Sequence, residues 1–194
     1  MDFKNKVVLI TGASSGIGKQ TAIEFAKLGS NIILVARRKD KLEQVENELK
    51  QFNVTTLICP CDVSKKDQVE IMSKTVLEKF NFVDILVNNA GFAIYGSVLD
   101  LSIEEIESQM ETNYFGMIYC TKNFLPLMLK KKSGHVVNVA SVAASFGLPG
   151  IASYCASKFA MLGFSEGLKH EISGTGVGIT VVSPIMVKTD FFEH

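Results

Sequence analysis

Short runs rich in Val and Ile alternate along this chain with longer amphipathic stretches, and few architectures accommodate that pattern. The runs read as strands at 6–11 (KVVLIT), 31–36 (NIILVA), 55–60 (TTLICP), 84–88 (DILVN), 135–140 (HVVNVA) and 178–183 (GITVVS). They are apolar nearly throughout rather than at every second residue. Strands of that kind are buried on both faces, as in a parallel sheet covered by crossover helices. The chain is therefore expected to be an α/β protein of repeated βα units. Its longest crossover opens at "SIEEIESQM", where Ser102 stands three residues before Glu105 as a capping box does, and it should run to about Lys130.

A length of 194 residues with 47% hydrophobic content suits one domain with a sizeable core, and no linker, repeat or low-complexity stretch divides it. Twenty basic and twenty acidic residues cancel, so no overall field draws the chain to nucleic acid or an anionic membrane. A small neutral partner fits better. The apolar run after Lys6 is far short of a signal peptide core or of the roughly 20 residues that cross a bilayer. We expect a cytoplasmic protein with no membrane segment. Cys59, Cys61, Cys120 and Cys155 lie in or beside apolar segments and read as reduced structural thiols. Cys59 and Cys61 would share one face of a strand, but no second pair completes a metal site, and none is expected. The run "KKK" at 130–132 reads as a solvated helix end.

Directly after the first run comes "TGASSGIG", with Gly12, Gly16 and Gly18 leading into the helical pattern "KQTAIEFAKLG". Glycines are needed where a chain turns sharply and where backbone must approach a pyrophosphate, and a following helix aims free N–H groups at the phosphates. Ser14 and Ser15 can add hydroxyls, and Ile17 lies within the same loop. The spacing is G-x-x-x-G-x-G rather than the commoner G-x-G-x-x-G. After the second strand a carboxylate would bond a ribose 2′-hydroxyl, whereas arginine would accept a 2′-phosphate. Here Ala36 is followed by Arg37 and Arg38, which favours NADP(H) over NAD(H), with Arg37 the nearer to the strand end.

Tyr154 and Lys158, in "GIASYCASK", stand one helical turn apart and share a face. The spacing alone is a weak signal. A phenol with a reference pKa near 10 needs help to exchange protons at neutral pH; a nearby ammonium would supply part of it and an oxidised nicotinamide more. Ser141, ending the fifth strand, falls at the carboxyl edge where open α/β sheets bind ligands.

From residue 6 to its end the chain resembles the short-chain dehydrogenases/reductases, in their compact single-domain branch. "TGASSGIG" is similar to that family's cofactor loop, "CDV" with Asp62 and Val63 to its adenine contact, and "NNAG" with Asn88, Ala90 and Gly91 to its sheet-stabilising, cofactor-contacting turn. Asn113 in "ETNYFG" matches the family's catalytic asparagine, Ser141 its serine, and Tyr154 and Lys158 its proton-transfer pair. The resemblance implies a three-layer Rossmann-like doubly wound sheet of strand order 3-2-1-4-5-6. It also implies hydride transfer between a nicotinamide and a carbonyl or alcohol carbon. Tyr154 would exchange the proton on oxygen and Ser141 would orient that oxygen. Lys158 would lower the Tyr154 pKa and hold the nicotinamide ribose, and Asn113 would hold a water that relays protons. Pro184, Val187 and Thr189 fall where the family contacts the nicotinamide carboxamide side, although Ile185 stands where the family usually has glycine.

The chain stops at "DFFEH", where the family continues through a substrate-covering segment and a seventh strand. We expect these residues to be the front part of a longer protein with its lid incomplete. Positions 92–97 ("FAIYGS"), 142–151 ("VAASFGLPGI") and Phe191 with Phe192 should line the pocket, and their apolar character favours a neutral or hydrophobic ketone, aldehyde or alcohol. Helices near 102–130 and 152–172 carry apolar residues on more than one face, among them Met117, Phe124, Phe159 and Phe164. Similar enzymes pair these helices across a twofold axis, which implies a homodimer or homotetramer. The competing readings are a catalytically silent NADP-binding regulator of the same fold and a sugar-nucleotide epimerase or dehydratase. The last would need a larger C-terminal lobe than this chain holds.

Overall fold

The computed structural model describes residues 2–185. Six strands form one parallel sheet: β1 (Val7–Thr11), β2 (Asn31–Ala36), β3 (Thr56–Pro60), β4 (Ile85–Asn88), β5 (Gly134–Val139) and β6 (Val177–Val182). Their order is β3-β2-β1-β4-β5-β6, as the resemblance implied, and each begins and ends within one residue of its expected range. Continuous apolar runs explain that agreement, because a strand buried on both faces has no polar positions to blur its ends.

Helices α1 (Gly16–Lys27) and α2 (Lys39–Leu49) cover one face of the sheet, packing Ala22, Ala26, Leu42 and Leu49 on Val8, Ile10, Ile32 and Leu34. Side chains alternate along each strand, so Leu9, Ile33 and Val35 turn to the other face. There they meet α3 (Lys66–Phe80), α5 (Gly116–Lys131) and α6 (Ala152–Glu171) through Val69, Met72, Phe124, Met128 and Leu168. Each fully buried aliphatic side chain contributes about 1.5–3 kcal/mol.

The fourth crossover starts at Ser102, whose hydroxyl accepts from Glu105 N at 3.1 Å while the Glu105 carboxylate accepts from Ser102 N at 2.8 Å. It is not one uniform helix. Helix α4 (Ile103–Met110) passes into a π-helical turn, Glu111–Phe115, before α5 begins. Met117 and Phe124, expected on an outer face, instead lie in the monomer's interior, while Phe159 and Phe115 remain exposed. Phe164 is partly buried and meets Tyr114 edge-on at 6.3 Å. The four cysteines are free and buried, and burial pushes the Cys59 thiol up to about 11 and Cys61 to about 12. Thiols so protonated are packing groups.

Candidate active site

β1 pairs with both β2 and β4, and the crossovers leaving it and leaving β4 run to opposite faces of the sheet. A cleft must open where they diverge. It measures about 860 Å³, with the glycine loop and Arg37 at one end and Ser141, Tyr154 and Lys158 at the other.

The loop from β1 to α1 has room for nothing larger than glycine at its close approaches. Gly12 takes φ +66°, and a Cβ there would stand 2.8 Å from Asn89 Nδ2 and 2.9 Å from Ala90 Cα. A Cβ on Gly18 would run into the Gly12 carbonyl. Ser15 is the N-cap of α1 with no side-chain bond to the helix, and Ser14, Ser15, Gly16 and Ile17 line the cleft. The uncapped first turn of α1 therefore presents its N–H groups to whatever anion lies beside the loop. The loop is pinned by two residues the sequence reading did not single out. Asn89 Nδ2 donates to the Thr11 carbonyl at 2.9 Å and the Gly12 carbonyl at 3.3 Å, and Thr11 Oγ1 accepts from Asn89 N and Ala90 N at 2.9 and 3.0 Å. Their signal was present as a Thr before the first glycine and a second Asn in "NNAG".

Farther along the wall, Asp62 Oδ1 accepts from Ser64 N and Ser64 Oγ, which fixes the turn where Asp62 and Val63 face the cleft. Arg37 and Arg38 line its outer end and are joined by Lys41 and Gln44 from α2, which the sequence reading also missed. Asn88 sits behind the wall. Its Nδ2 donates to Thr121 Oγ1 and Asn138 Oδ1, and Asn138 in turn donates to Ser165 Oγ, so Asn88 ties the sheet to α5 and α6. Gly18 is likewise a packing position, whereas Ala90 and Gly91 do reach the cleft.

At the other end Ser141 follows β5, and its Oγ accepts from Ala143 N at 3.1 Å. Tyr154 is buried and hydrogen-bonded to Ser141. Burial pushes the phenol above its usual value, the Ser141 bond opposes that, and the nearby Cys155 and Tyr95 add to the rise. Lys158 lies completely buried and its Nζ donates to the Val139 carbonyl at 3.0 Å. Burial lowers the ammonium to about 8. Its Nζ stands 5.7 Å from the Tyr154 ring centroid while donating to that backbone oxygen.

Asn113 occupies the middle of the π-helical turn and is fully buried. Its Oδ1 accepts from Phe92 N at 2.9 Å, and its Nδ2 donates to the Phe92 carbonyl and to Ser157 Oγ at 3.0 and 2.9 Å. Gly91 allows this, since a Cβ there would lie 2.9 Å from Asn113 Oδ1 and 3.5 Å from Lys158 Nζ. Pro184 reaches the same end through its carbonyl, which accepts from Val142 N at 3.0 Å. Val187, Thr189, Phe191 and Phe192 lie outside the described residues. The pocket positions expected near the reacting end are represented by Ala93, Tyr95, Leu148 and Ile151. A buried phenol, a serine hydroxyl and a buried amine thus meet beside one cleft of about 860 Å³, an arrangement able to move a proton to or from a substrate oxygen.

Comparison with known proteins agrees with this geometry. Residues 6–194 match the short chain dehydrogenase family. An uncharacterized oxidoreductase of Staphylococcus saprophyticus is 38% identical over 193 residues, covering 98% of this chain and 78% of the relative. Two insect relatives are longer still, the chain spanning 60% of one from Anopheles gambiae and 58% of one from Drosophila melanogaster. A crystal structure of a Burkholderia phymatum short chain dehydrogenase/reductase in complex with NAD superposes with TM-score 0.95 at 31% identity, covering 98% of this chain and 69% of that one. An alcohol dehydrogenase of Thermococcus sibiricus complexed with 5-hydroxy-NADP gives 0.91 at 34%, covering 96% and 78%. By its sequence, its sheet order and the cleft at its switch point, the chain belongs to the short-chain dehydrogenase family.

Proposed function

We propose that the protein is an NADP(H)-dependent oxidoreductase that interconverts a neutral, largely apolar ketone or aldehyde and its alcohol, with Tyr154 as general acid and base. The observation that carries this is the placement of the bonded Ser141–Tyr154 pair in the same cleft as the glycine loop. The residues present suit a dinucleotide: side chains are excluded at Gly12 and Gly18, and an uncapped helix start faces the cleft. When bound, the nicotinamide supplies or accepts the hydride.

The chain's own groups handle the oxygen. In reduction Tyr154, whose burial keeps it protonated at neutral pH, gives its hydroxyl proton to the carbonyl oxygen, and Ser141 holds that oxygen by a hydrogen bond. In oxidation the same phenol must first lose its proton, which the buried Lys158 amine is suited to help with, because it titrates near 8. Both amide hydrogens of Asn113 are committed, so a lone pair on Oδ1 is where that side chain could still receive a water.

For the cofactor, the solved relatives do not choose, since one is described with NAD and another with an NADP derivative. Arg37 and Arg38 after Ala36, with Lys41 beside them, support NADP. The apolar groups near Tyr154 support a neutral substrate.

The test follows reduced-cofactor absorbance with a panel of neutral carbonyl compounds. Tyr154→Phe should lower turnover by roughly a hundredfold or more while nucleotide binding persists. Equal rates would remove Tyr154 from the mechanism. Titration of NADPH and NADH should show NADPH binding the more tightly, with Arg37→Ala erasing most of the difference; identical affinities before and after would reverse the cofactor assignment.

A further inference from the structure

Between β4 and α4 the chain runs past the reacting end of the cleft with no helix or sheet partner, yet its alternate amides are all bonded. Phe92 N donates to Asn113 Oδ1, Ile94 N to Gln109 Oε1 at 3.0 Å, and Gly96 N to the Gly150 carbonyl at 2.9 Å. Side-chain amides thus stand in for a missing neighbouring strand.

Gln109 is completely buried. Burying an amide is unfavourable unless its polar atoms are paired, and a leucine would occupy similar space on α4 without that cost. Here every end is used. Besides accepting from Ile94, Gln109 donates through Nε2 to Ser153 Oγ at 2.9 Å and to the Glu105 carbonyl at 3.3 Å. The Ile94 N–H requires an oxygen opposite it, which fixes which way round the amide lies.

Asn113 repeats the arrangement one turn later, bonding Phe92 on one side and Ser157 on the other. Ser153 and Ser157 are themselves one turn apart on α6 and bracket Tyr154. Ser157 Oγ also donates to the Tyr154 backbone carbonyl at 2.7 Å. Two rungs therefore run from the 92–96 segment through α4 and the π-helical turn into the helix that carries Tyr154 and Lys158.

We infer that Gln109 is a positioning residue for the Tyr154 site: it holds the segment bearing Tyr95 and the first turn of α6 in one register. This rests on the reading of Tyr154 as the proton-transfer group. Without Gln109 the lower rung at Asn113 remains, so the helix keeps its place but its N-terminal turn and the 92–96 segment gain freedom. The reacting groups would then spend less time correctly oriented, which costs rate rather than nucleotide affinity.

The experiment compares wild type, Gln109→Leu and Gln109→Glu by hydrogen exchange of the whole chain, alongside NADPH titration and turnover of a neutral carbonyl panel. Gln109→Leu should raise exchange about tenfold in peptides spanning 92–96 and 151–158, the scale of one lost buried hydrogen bond, with β1 and β2 unchanged. Its kcat should fall about tenfold at unchanged NADPH affinity and KM. Gln109→Glu keeps an acceptor for Ile94 N and a partner for the Ser153 hydroxyl, so it should restore protection of 92–96. Wild-type exchange in both segments of Gln109→Leu would overturn the inference. So would faster exchange spread evenly over every element, which marks a purely structural loss. If wild type turns over no carbonyl compound, the oxidoreductase reading fails, while the exchange pattern still decides whether Gln109 positions these segments.

Discussion

Burying Lys158 is costly, because the ammonium gives up its water. The side chain is buried among Val139, Met161 and the Tyr154 ring, with no carboxylate bonded to its Nζ among the described residues. Its pKa falls from 10.5 to about 8, so between those values the unfolded chain holds a proton that the folded chain has released. Folding stability therefore rises with pH across that window, and the penalty stands in full below pH 8. Urea unfolding of wild type and Lys158→Met should show the wild type gaining about 3 kcal/mol relative to the variant between pH 8 and 10.5. Parallel curves would mean that the amine is solvated. Burial favours the neutral form of Tyr154 too, but there the neutral form is the protonated one, so its pKa moves up instead of down. Under the proposed function its proton is then available for carbonyl reduction throughout neutral pH, and kcat/KM for reduction should decline once pH rises past the elevated phenol pKa, while alcohol oxidation rises. A pH profile in both directions checks the sign.

The glycine loop works as an element because three backbone stretches crowd into it: its own turn, the start of α1 and the turn after β4. Gly18→Ala sets a methyl group against the Gly12 carbonyl, where no flexible side chain can yield. It should cost about 1–3 kcal/mol of stability and weaken NADPH binding, both measurable by thermal unfolding with and without nucleotide. Much of this element was legible in advance, since "TGASSGIG" needs only its place after a strand to be interpreted. The strands were legible for the same local reason. What was not legible depends on partners distant in the chain. Nothing near Gln109 announces that Ile94 and Ser153 will meet it, and nothing near Asn113 announces that its helix will widen into a π turn so that the side chain reaches Phe92 and Ser157. Met117 and Phe124 were misplaced because a helix packed under another helix is apolar on two faces without needing a second molecule. The direction of Lys158 was hidden too: helical spacing set it beside Tyr154, but the Val139 carbonyl that captures its Nζ belongs to β5.

At the scale of the whole molecule, the aromatic residues left outside matter for assembly. Phe115 and Phe159 are 42% and 43% exposed, and Phe115 stacks on Tyr119 at 6.2 Å. These rings are large apolar groups left facing outward on two helical regions, and we expect a homodimer that buries them. Sedimentation should show wild type as a dimer or tetramer and Phe159→Glu shifted toward monomer. A wild-type monomer at micromolar concentration would end that expectation. The sheet order has a further consequence of another kind. Gly12, Gly16, Gly18, Arg37 and Asp62 all precede Asn81, and Asn113, Ser141, Tyr154 and Lys158 all follow it. The two halves share sheet hydrogen bonds along a single seam, where Val8, Leu9 and Ile10 pair with Ile85, Leu86 and Val87. The chain is thus two cassettes spliced edge to edge. Arg37, proposed to select the nucleotide, and Tyr154, proposed to move the proton, therefore stand on opposite sides of that seam, and Asn89 reaches back across it to hold the glycine loop in place.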